Sequence, residues 1–391
     1  MLGVNRVKLP IQPLVNEILD ALPNHVWTDP DITFLDPAMA GGQFILEIER
    51  RLKAAGHSDE SIAARVWGCE ERLIRVKYVQ NWHKAISQNL YVRDALTYDW
   101  SDMKFDVIVG NPPYQEANNT GGNLWLKFID KSVKKLSKET TVFGFVTPPT
   151  FLGRVNSANT RSDYSCYQNI DIHTLRILSK QEGANYFPGV GSKFCWYVAS
   201  NSSGGTHNTK LKQGNFETLI DIKQPHPLPD EINSISMSIH TKLTQAQGIC
   251  FNQTREVKYF GLKQNDQVRD TKSKKFQYKS YFSHNLVRYT CIKATHFNHL
   301  KVMIPQTSTV NNAFMEDNCN ISEDLFYQVV DTKQEGIDLL AYLNTDLVKY
   351  ICKNYRGGRA MGQALKCGII PNQNSKIQFT NEEVDYMTLH R

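Results

Sequence analysis

The sequence has no C-x-x-C pair, no G-x-G-x-x-G, no G-K-[ST] and no apolar run near the roughly 18 residues that cross a bilayer. Each absence excludes something. Eight cysteines (Cys69, Cys166, Cys195, Cys250, Cys291, Cys319, Cys352, Cys367) are scattered singly, which argues for reduced thiols over a disulfide frame or a zinc site. We therefore expect no metal. The start, MLGVNRVKLPIQPLV, lacks a signal-peptide core, so with no bilayer span the expectation is a cytoplasmic protein without a membrane partner. The missing glycine motifs exclude a dinucleotide fingerprint and a P-loop. A net charge of +6 over 391 residues is too mild to identify a partner by itself, so its distribution matters more.

What is present is an α/β rhythm. Ile32–Asp36, Arg65–Glu70, Asn89–Asp94 and Phe105–Asn111 read as short strands separated by helix-like stretches with apolar residues near a 3.6 period. Thr141–Pro149 and Ser192–Ser200 read as later strands. The alternation predicts a Rossmann-like, doubly wound, mostly parallel sheet. The polar run SNSSGGTHNT, 200–209, reads as a linker. It divides a domain at 1–200 from a C-terminal domain at 210–391 of mixed α+β character.

In such a sheet, ligands sit at the carboxyl ends of the strands. There the sequence places DPAMAGGQF (36–44), whose glycines let the backbone approach a ligand, then Glu70, suited to two ribose hydroxyls, then Asp94, suited to an adenine amino group. The fourth strand runs into Asn111, Pro112, Pro113 and Tyr114. Two prolines remove donors and fix an extended shape, holding an amide and an aromatic ring rigidly. Each signal alone could be a turn, a cap or a solvated acid. Four in order, each at a strand end, are poorly explained by chance.

With those residues the chain resembles an S-adenosylmethionine-dependent amino-group DNA methyltransferase of the kind that makes N6-methyladenine. The resemblance covers residues 1 to about 200 well and the rest loosely; the motif order is similar to the γ arrangement, with target recognition C-terminal. It implies that Asp36, Pro37, Ala38, Gly42 and Phe44 form the methionine-side loop of the S-adenosyl-L-methionine site. Glu70 would bind its ribose and Asp94 its adenine, and Asn111, Pro112, Pro113 and Tyr114 would be catalytic, Asn111 also bordering the cofactor. Ala40 stands where the family loop usually has its first glycine, which is tolerable if φ there is negative. VKLPIQPLVNEILDAL resembles the family's N-terminal cofactor helix.

The clamp has a chemical logic. An adenine amine is a poor nucleophile because its lone pair is delocalised into the ring. Acceptance of its two N–H bonds by the Asn111 side chain and the Pro112 carbonyl would draw the nitrogen toward a tetrahedral state. The base would have to leave the duplex, with Tyr114 and, by resemblance of YFPGVGSKF (186–194) to a later family motif, Phe187 stacking on it.

From Thr271 to Met315 there is no Asp or Glu, while lysines alternate with aromatic residues. We expect double-stranded DNA as partner, contacted by Lys274, Lys275, Lys279 and Arg288 here and by Arg356 and Arg359 in YRGGRAMGQ (355–363). The alternatives are an RNA-adenine or protein-glutamine methyltransferase with the same clamp, and a non-catalytic DNA-binding relative; Asn in the first motif position disfavours N4-cytosine chemistry. Only about 30 residues precede the first strand, so a nuclease would be a separate restriction endonuclease.

Overall fold

The computed structural model describes residues 12–115, 123–153, 162–187, 193–202, 208–224, 226–254, 256–257, 267–283, 285–306, 310–355 and 362–391. The chain divides into two compact units, the first running to Lys223 apart from the three residues after Phe151, the second starting at Gln224.

The first unit is built on a nine-stranded sheet. Its strands are β1 (Phe34–Asp36), β2 (Val66–Glu70), β3 (Leu90–Val92), β4 (Phe105–Gly110), β5 (Ser137–Thr147), β6 (Ile170–Leu178), β7 (Phe194–Asn201), β8 (Thr209–Gln213) and β9 (Phe216–Ile220), in the order β3-β2-β1-β4-β5-β7-β6-β8-β9. β1 to β5 run parallel, with Phe34 opposite Val107 and Leu35 opposite Ile108, whereas β7 runs antiparallel between β5 and β6. The order and directions make a Rossmann-like, mostly parallel sheet. β4 is buried along its whole length, as an unbroken apolar strand covered on both faces must be.

The chain leaves β1 toward β2 on one side and later returns to β4 on the other. The topological switch point therefore falls between β1 and β4, where a crevice opens at the carboxyl ends. Helix Gln43–Ala54 packs Phe44, Ile45, Ile48 and Leu52 inward, and helix Gln12–Asp20 packs Leu14, Val15, Ile18 and Leu19. Burying four such side chains contributes roughly 1.5–3 kcal/mol each, so both helices are clamped to the sheet that carries the strand ends. Glu17 on the latter helix accepts from Tyr186 and Arg176 at 2.5 Å and from Trp196 at 3.2 Å, fixing it to β6 and β7.

Two boundaries differ from the sequence expectation. β6 was not anticipated; its IDIHTLRIL run pairs with both β7 and β8. β8 starts at the last residue of the polar run 200–209 and β9 follows it, yet both belong to the first sheet, because Thr174 to Ile177 of β6 offer β8 a parallel edge. The division between units thus falls after Lys223, not at 200–210.

The second unit is α+β. One four-stranded sheet orders Asn252–Gln253, Leu325–Val329, Lys301–Pro305 and Phe314–Glu316; another orders Val268–Arg269, Leu286–Thr290, Tyr278–Ser283 and Asn320–Ile321. Helices Ser234–Gln245, Lys333–Leu343 and Asp346–Asn354 contribute Ile239, Leu339, Val348 and Ile351 to its core. Among the described residues no helix is long and apolar enough to cross a membrane.

Candidate active site

The carboxyl ends of β1 to β4 open into a cleft of about 610 Å³. Pro37, Ala38, Glu70, Asp94, Asn111 and Pro113 all line it, so the four strand-end signals read from sequence converge on one space. Its size falls inside the range of small-molecule sites.

Asp36 ends β1, only 2% exposed, and accepts a hydrogen bond from the Ala38 amide at 3.0 Å. Burial pushes its carboxyl from 3.8 up to about 8; the Ala38 bond opposes this and the Glu70 charge adds to it. Gly42 sits at φ 79° and its position faces Val79, where a Cβ would lie 2.8 Å from a methyl. Ala40 has φ 49°. The expectation that alanine is accommodated by negative φ is therefore corrected: Ala40 holds a left-handed conformation that a glycine would hold without strain. Phe44 turns into the core and does not line the cleft wall.

At the end of β2, Glu70 accepts from the Arg72 amide at 3.0 Å and from Arg75 at 3.2 Å. At the end of β3, Asp94 accepts from the Leu96 amide at 2.8 Å and the Thr97 hydroxyl at 3.1 Å. Both residues line the cleft, and each carboxylate keeps acceptor capacity beyond these bonds. Sequence reasoning missed Lys131, which donates to the Leu96 and Tyr98 carbonyls at 2.9 Å each. It ties the loop after β3 to helix Leu124–Lys131, the helix that follows the NPPY turn and lends Phe128 to the cleft wall. No local sequence signal marks that bond, because its partners lie 33 and 35 residues away.

At the end of β4, the Asn111 side-chain oxygen is buried with no hydrogen-bond partner among the described residues. Such an atom is costly unless a ligand donates to it. Pro112 is buried and Tyr114 half-buried, and the Tyr114 carbonyl accepts from the Leu124 amide at 3.1 Å, anchoring the turn to the following helix. Burial holds the Tyr114 phenol well above its ordinary range, so it stays neutral. Phe187 is 5% exposed, with its ring edge-to-face on Phe194 at 4.9 Å in the core.

The charged candidates of the second unit are less uniform than their sequence suggests. Lys274 and Lys275 are exposed. Lys279 pairs with Glu316 at 3.1 Å and lies over the Tyr281 ring, and Arg288, 8% exposed, pairs with Asp270 at 2.7 Å. Arg356 and Arg359 lie outside the described residues. Among the described residues no cluster of His, Cys, Asp and Glu is arranged to hold a metal.

Residues 46–181 match the Eco57I restriction-modification methylase family. The matched segment carries Glu70, Asp94 and Asn111. Modification methylase CviBIII of Paramecium bursaria Chlorella virus is 23% identical over 257 residues, 63% of this chain and 62% of that protein. An uncharacterized adenine-specific methylase of Mycoplasma pneumoniae is 26% identical over 145 residues, 36% of this chain and 34% of that one. The matches therefore span less than two thirds of either relative. A type I restriction-modification methyltransferase subunit from Streptococcus thermophilus superposes with 16% identity and a TM-score of 0.39, covering 55% of this chain and 50% of the other.

Proposed function

We propose that the chain is a site-specific DNA methyltransferase that transfers a methyl group from S-adenosyl-L-methionine to N6 of an adenine turned out of the duplex. The observation that carries this reading is the buried, unpartnered Asn111 oxygen at the switch point of the sheet. It is an acceptor that waits for a donor.

The residues fit the cofactor. Glu70 and Asp94 flank the cleft, each already bonded to its own turn and each with acceptor capacity for a ribose and an adenine amine. Bound there, S-adenosylmethionine supplies an electrophilic methyl on a sulfonium. The chain's own part is positioning. Asn111 and the Pro112 carbonyl accept the two N–H bonds of the exocyclic amine and draw the nitrogen toward a tetrahedral shape. Its lone pair would then be aimed at the methyl carbon; as the N–C bond formed, the C–S bond would break with its electron pair left on the neutral thioether, and the amine proton would leave to water. The prolines hold both acceptors fixed, so little reorganisation accompanies the reaction. Neutral Tyr114 offers a ring face to the extrahelical base; Phe187 would join it only by leaving Phe194. Lys274 and Lys275 would meet the DNA backbone.

DNA as the substrate is supported by the similarity of residues 46–181 to a restriction-modification methylase family and of the chain to modification methylase CviBIII. A separate restriction endonuclease as partner and a cytoplasmic location belong to the same reading. The test is to express the chain in a host lacking adenine methylation and sequence the DNA for modified bases. N6-methyladenine at a recurrent motif, lost with Asn111→Ala, is the expected result. Unmodified DNA, or methyl transfer by the purified chain only to RNA or to glutamine in protein, would overturn it.

A further inference from the structure

Lysine ordinarily leaves its ammonium in water. Lys131 instead turns it onto the carbonyls of Leu96 and Tyr98, at 2.9 Å each, and is half-buried in doing so. Burial lowers its pKa and the charge of Asp94 acts against this, so ammonium and carboxylate sense one another across the turn. Directly after Lys131 the helix widens into a π turn over Ser132–Leu136, a winding often found at functional sites.

The turn that Lys131 grips is the one that presents Asp94. The Asp94 carbonyl accepts from the Thr97 and Tyr98 amides at 3.2 and 2.8 Å, and its carboxylate accepts from the Leu96 amide at 2.8 Å and the Thr97 hydroxyl at 3.1 Å. A peptide unit is planar, so its carbonyl and its amide move together. The Leu96 carbonyl shares a plane with the Thr97 amide; holding the first in place holds the second against Asp94. The Ala95 carbonyl shares a plane with the Leu96 amide, and the buried Trp100 indole fixes that unit by donating to it at 3.1 Å. Lys131 and Trp100 thus fix, from behind, the two amides that set the backbone and the carboxylate of Asp94. Lys131 stands behind the cleft wall, whereas Leu124 and Phe128 of its own helix are on it.

A carboxylate accepts from the exocyclic amine of adenine and repels the carbonyl that hypoxanthine carries at the same position. A site built on such a contact discriminates only as sharply as the contact is fixed. We propose that Lys131 is the positioning residue that keeps Asp94 in line with the purine amine and so sets the preference of the cleft for an adenine base. This rests on the S-adenosylmethionine reading of the cleft.

Calorimetry on the full chain with S-adenosylhomocysteine and S-inosylhomocysteine tests it. Wild type should bind the adenosyl compound more tightly. Lys131→Met keeps the length and loses the donor; it should narrow the ratio of the two affinities about tenfold, mostly by weakening the adenosyl compound. Lys131→Arg can reach both carbonyls and should restore most of the ratio, and Lys131→Gln, a shorter donor, should fall between. Methyl transfer by Lys131→Met should approach the wild-type rate once cofactor saturates, placing the loss in KM and not in kcat. A wild-type ratio in Lys131→Met, or both compounds weakened alike as a general loosening would do, overturns the proposal; should Lys131→Met not fold, a wild-type ratio in Lys131→Gln does so. Asp94→Asn tells this apart from the reading of the cleft. If wild type binds neither compound, or Asp94→Asn keeps the adenosyl preference, the cleft reading falls and the role of Lys131 with it. If Asp94→Asn loses the preference and Lys131→Met keeps it, only the role of Lys131 falls.

Discussion

Asp36 at the end of β1 and Gly110 at the end of β4 stand so close that a Cβ on residue 110 would lie 2.9 Å from the Asp36 Oδ1. The two strands flanking the switch point thus meet through a carboxyl on one side and bare backbone on the other. Gly110→Ala would push the carboxyl off the Ala38 amide. It should loosen the turn after β1 and reduce cofactor affinity, measured by calorimetry, more than it reduces Tm. Cofactor affinity equal to wild type would mean that the turn shifts without consequence.

The same carboxyl gives a pH signature. In the unfolded chain it ionises near 3.8, and in the fold near about 8, so between those values the folded state holds a proton that the unfolded state has released. Stability should fall as pH rises through that window and level off above it. At about 1.4 kcal/mol per unit of difference the loss is on the order of several kcal/mol. Asp36→Asn keeps the shape and cannot ionise. Urea unfolding at pH 5, 7 and 8.5 should show a smaller decline for Asp36→Asn than for wild type; parallel declines would move the effect to another group.

Asn111 and Glu70 should separate kinetically. On the proposed function, Asn111→Ala would remove an acceptor for the substrate amine, and losing one preorganised group of this kind costs on the order of 10²–10³ in rate. Cofactor affinity should barely change. Glu70→Ala should weaken cofactor binding first, and also free Arg75, its partner at 3.2 Å. Near-normal turnover by Asn111→Ala would remove the clamp from the mechanism.

The loop after β1 shows how far sequence carries. The strands whose ends form the cleft were legible because buried parallel strands are apolar runs, and their order placed Asp36, Glu70, Asp94 and Asn111 on one rim. The sign of φ at Ala40 was not legible, because alanine is compatible with nearly any local pattern. β6 escaped because alternating polar residues such as Asp171, His173 and Arg176 mask its strand character, although Asp171 is buried with Lys223 as its partner at 2.8 Å. The acid-free stretch 271–315 misled differently. Asp270 and Glu316, one residue outside each end, fold back to neutralise Arg288 and Lys279.

Ala40 and Gly42 therefore behave oppositely when exchanged. A left-handed alanine costs about 1–2 kcal/mol, and glycine there gives back most of this while adding unfolded-state entropy. Ala40→Gly should leave stability unchanged or raise it by up to about 1 kcal/mol. Gly42→Ala adds the same backbone strain and puts a methyl 2.8 Å from Val79. A loss of about 2 kcal/mol or more is expected, since the buried valine has little room to move. Denaturant midpoints of the two variants decide it; equal shifts would mean that the loop relaxes freely.

DNA contact by the second unit should depend on which cations are already paired. Lys274 and Lys275 are exposed, and the Lys275 ammonium lies over the Phe276 ring at 5.6 Å without losing its charge to a carboxylate. Lys279 and Arg288 have acidic partners at 3.1 and 2.7 Å, so their net contribution to counterion release is smaller. A phosphate contact contributes close to one unit of log–log salt slope. Neutralising Lys274, Lys275 and Lys279 together should lower the slope by about two instead of three. Affinity should fall on all sequences alike, with S-adenosylmethionine binding unchanged. Lys279→Ala alone should leave the slope nearly intact while freeing Glu316, which keeps its bond from the Tyr281 hydroxyl at 2.8 Å. Fluorescence anisotropy of labelled duplexes between low and physiological salt measures both. An unaltered slope in the triple variant would remove this segment from the DNA interface, and a drop of three would show that the Glu316 pairing opens when DNA arrives.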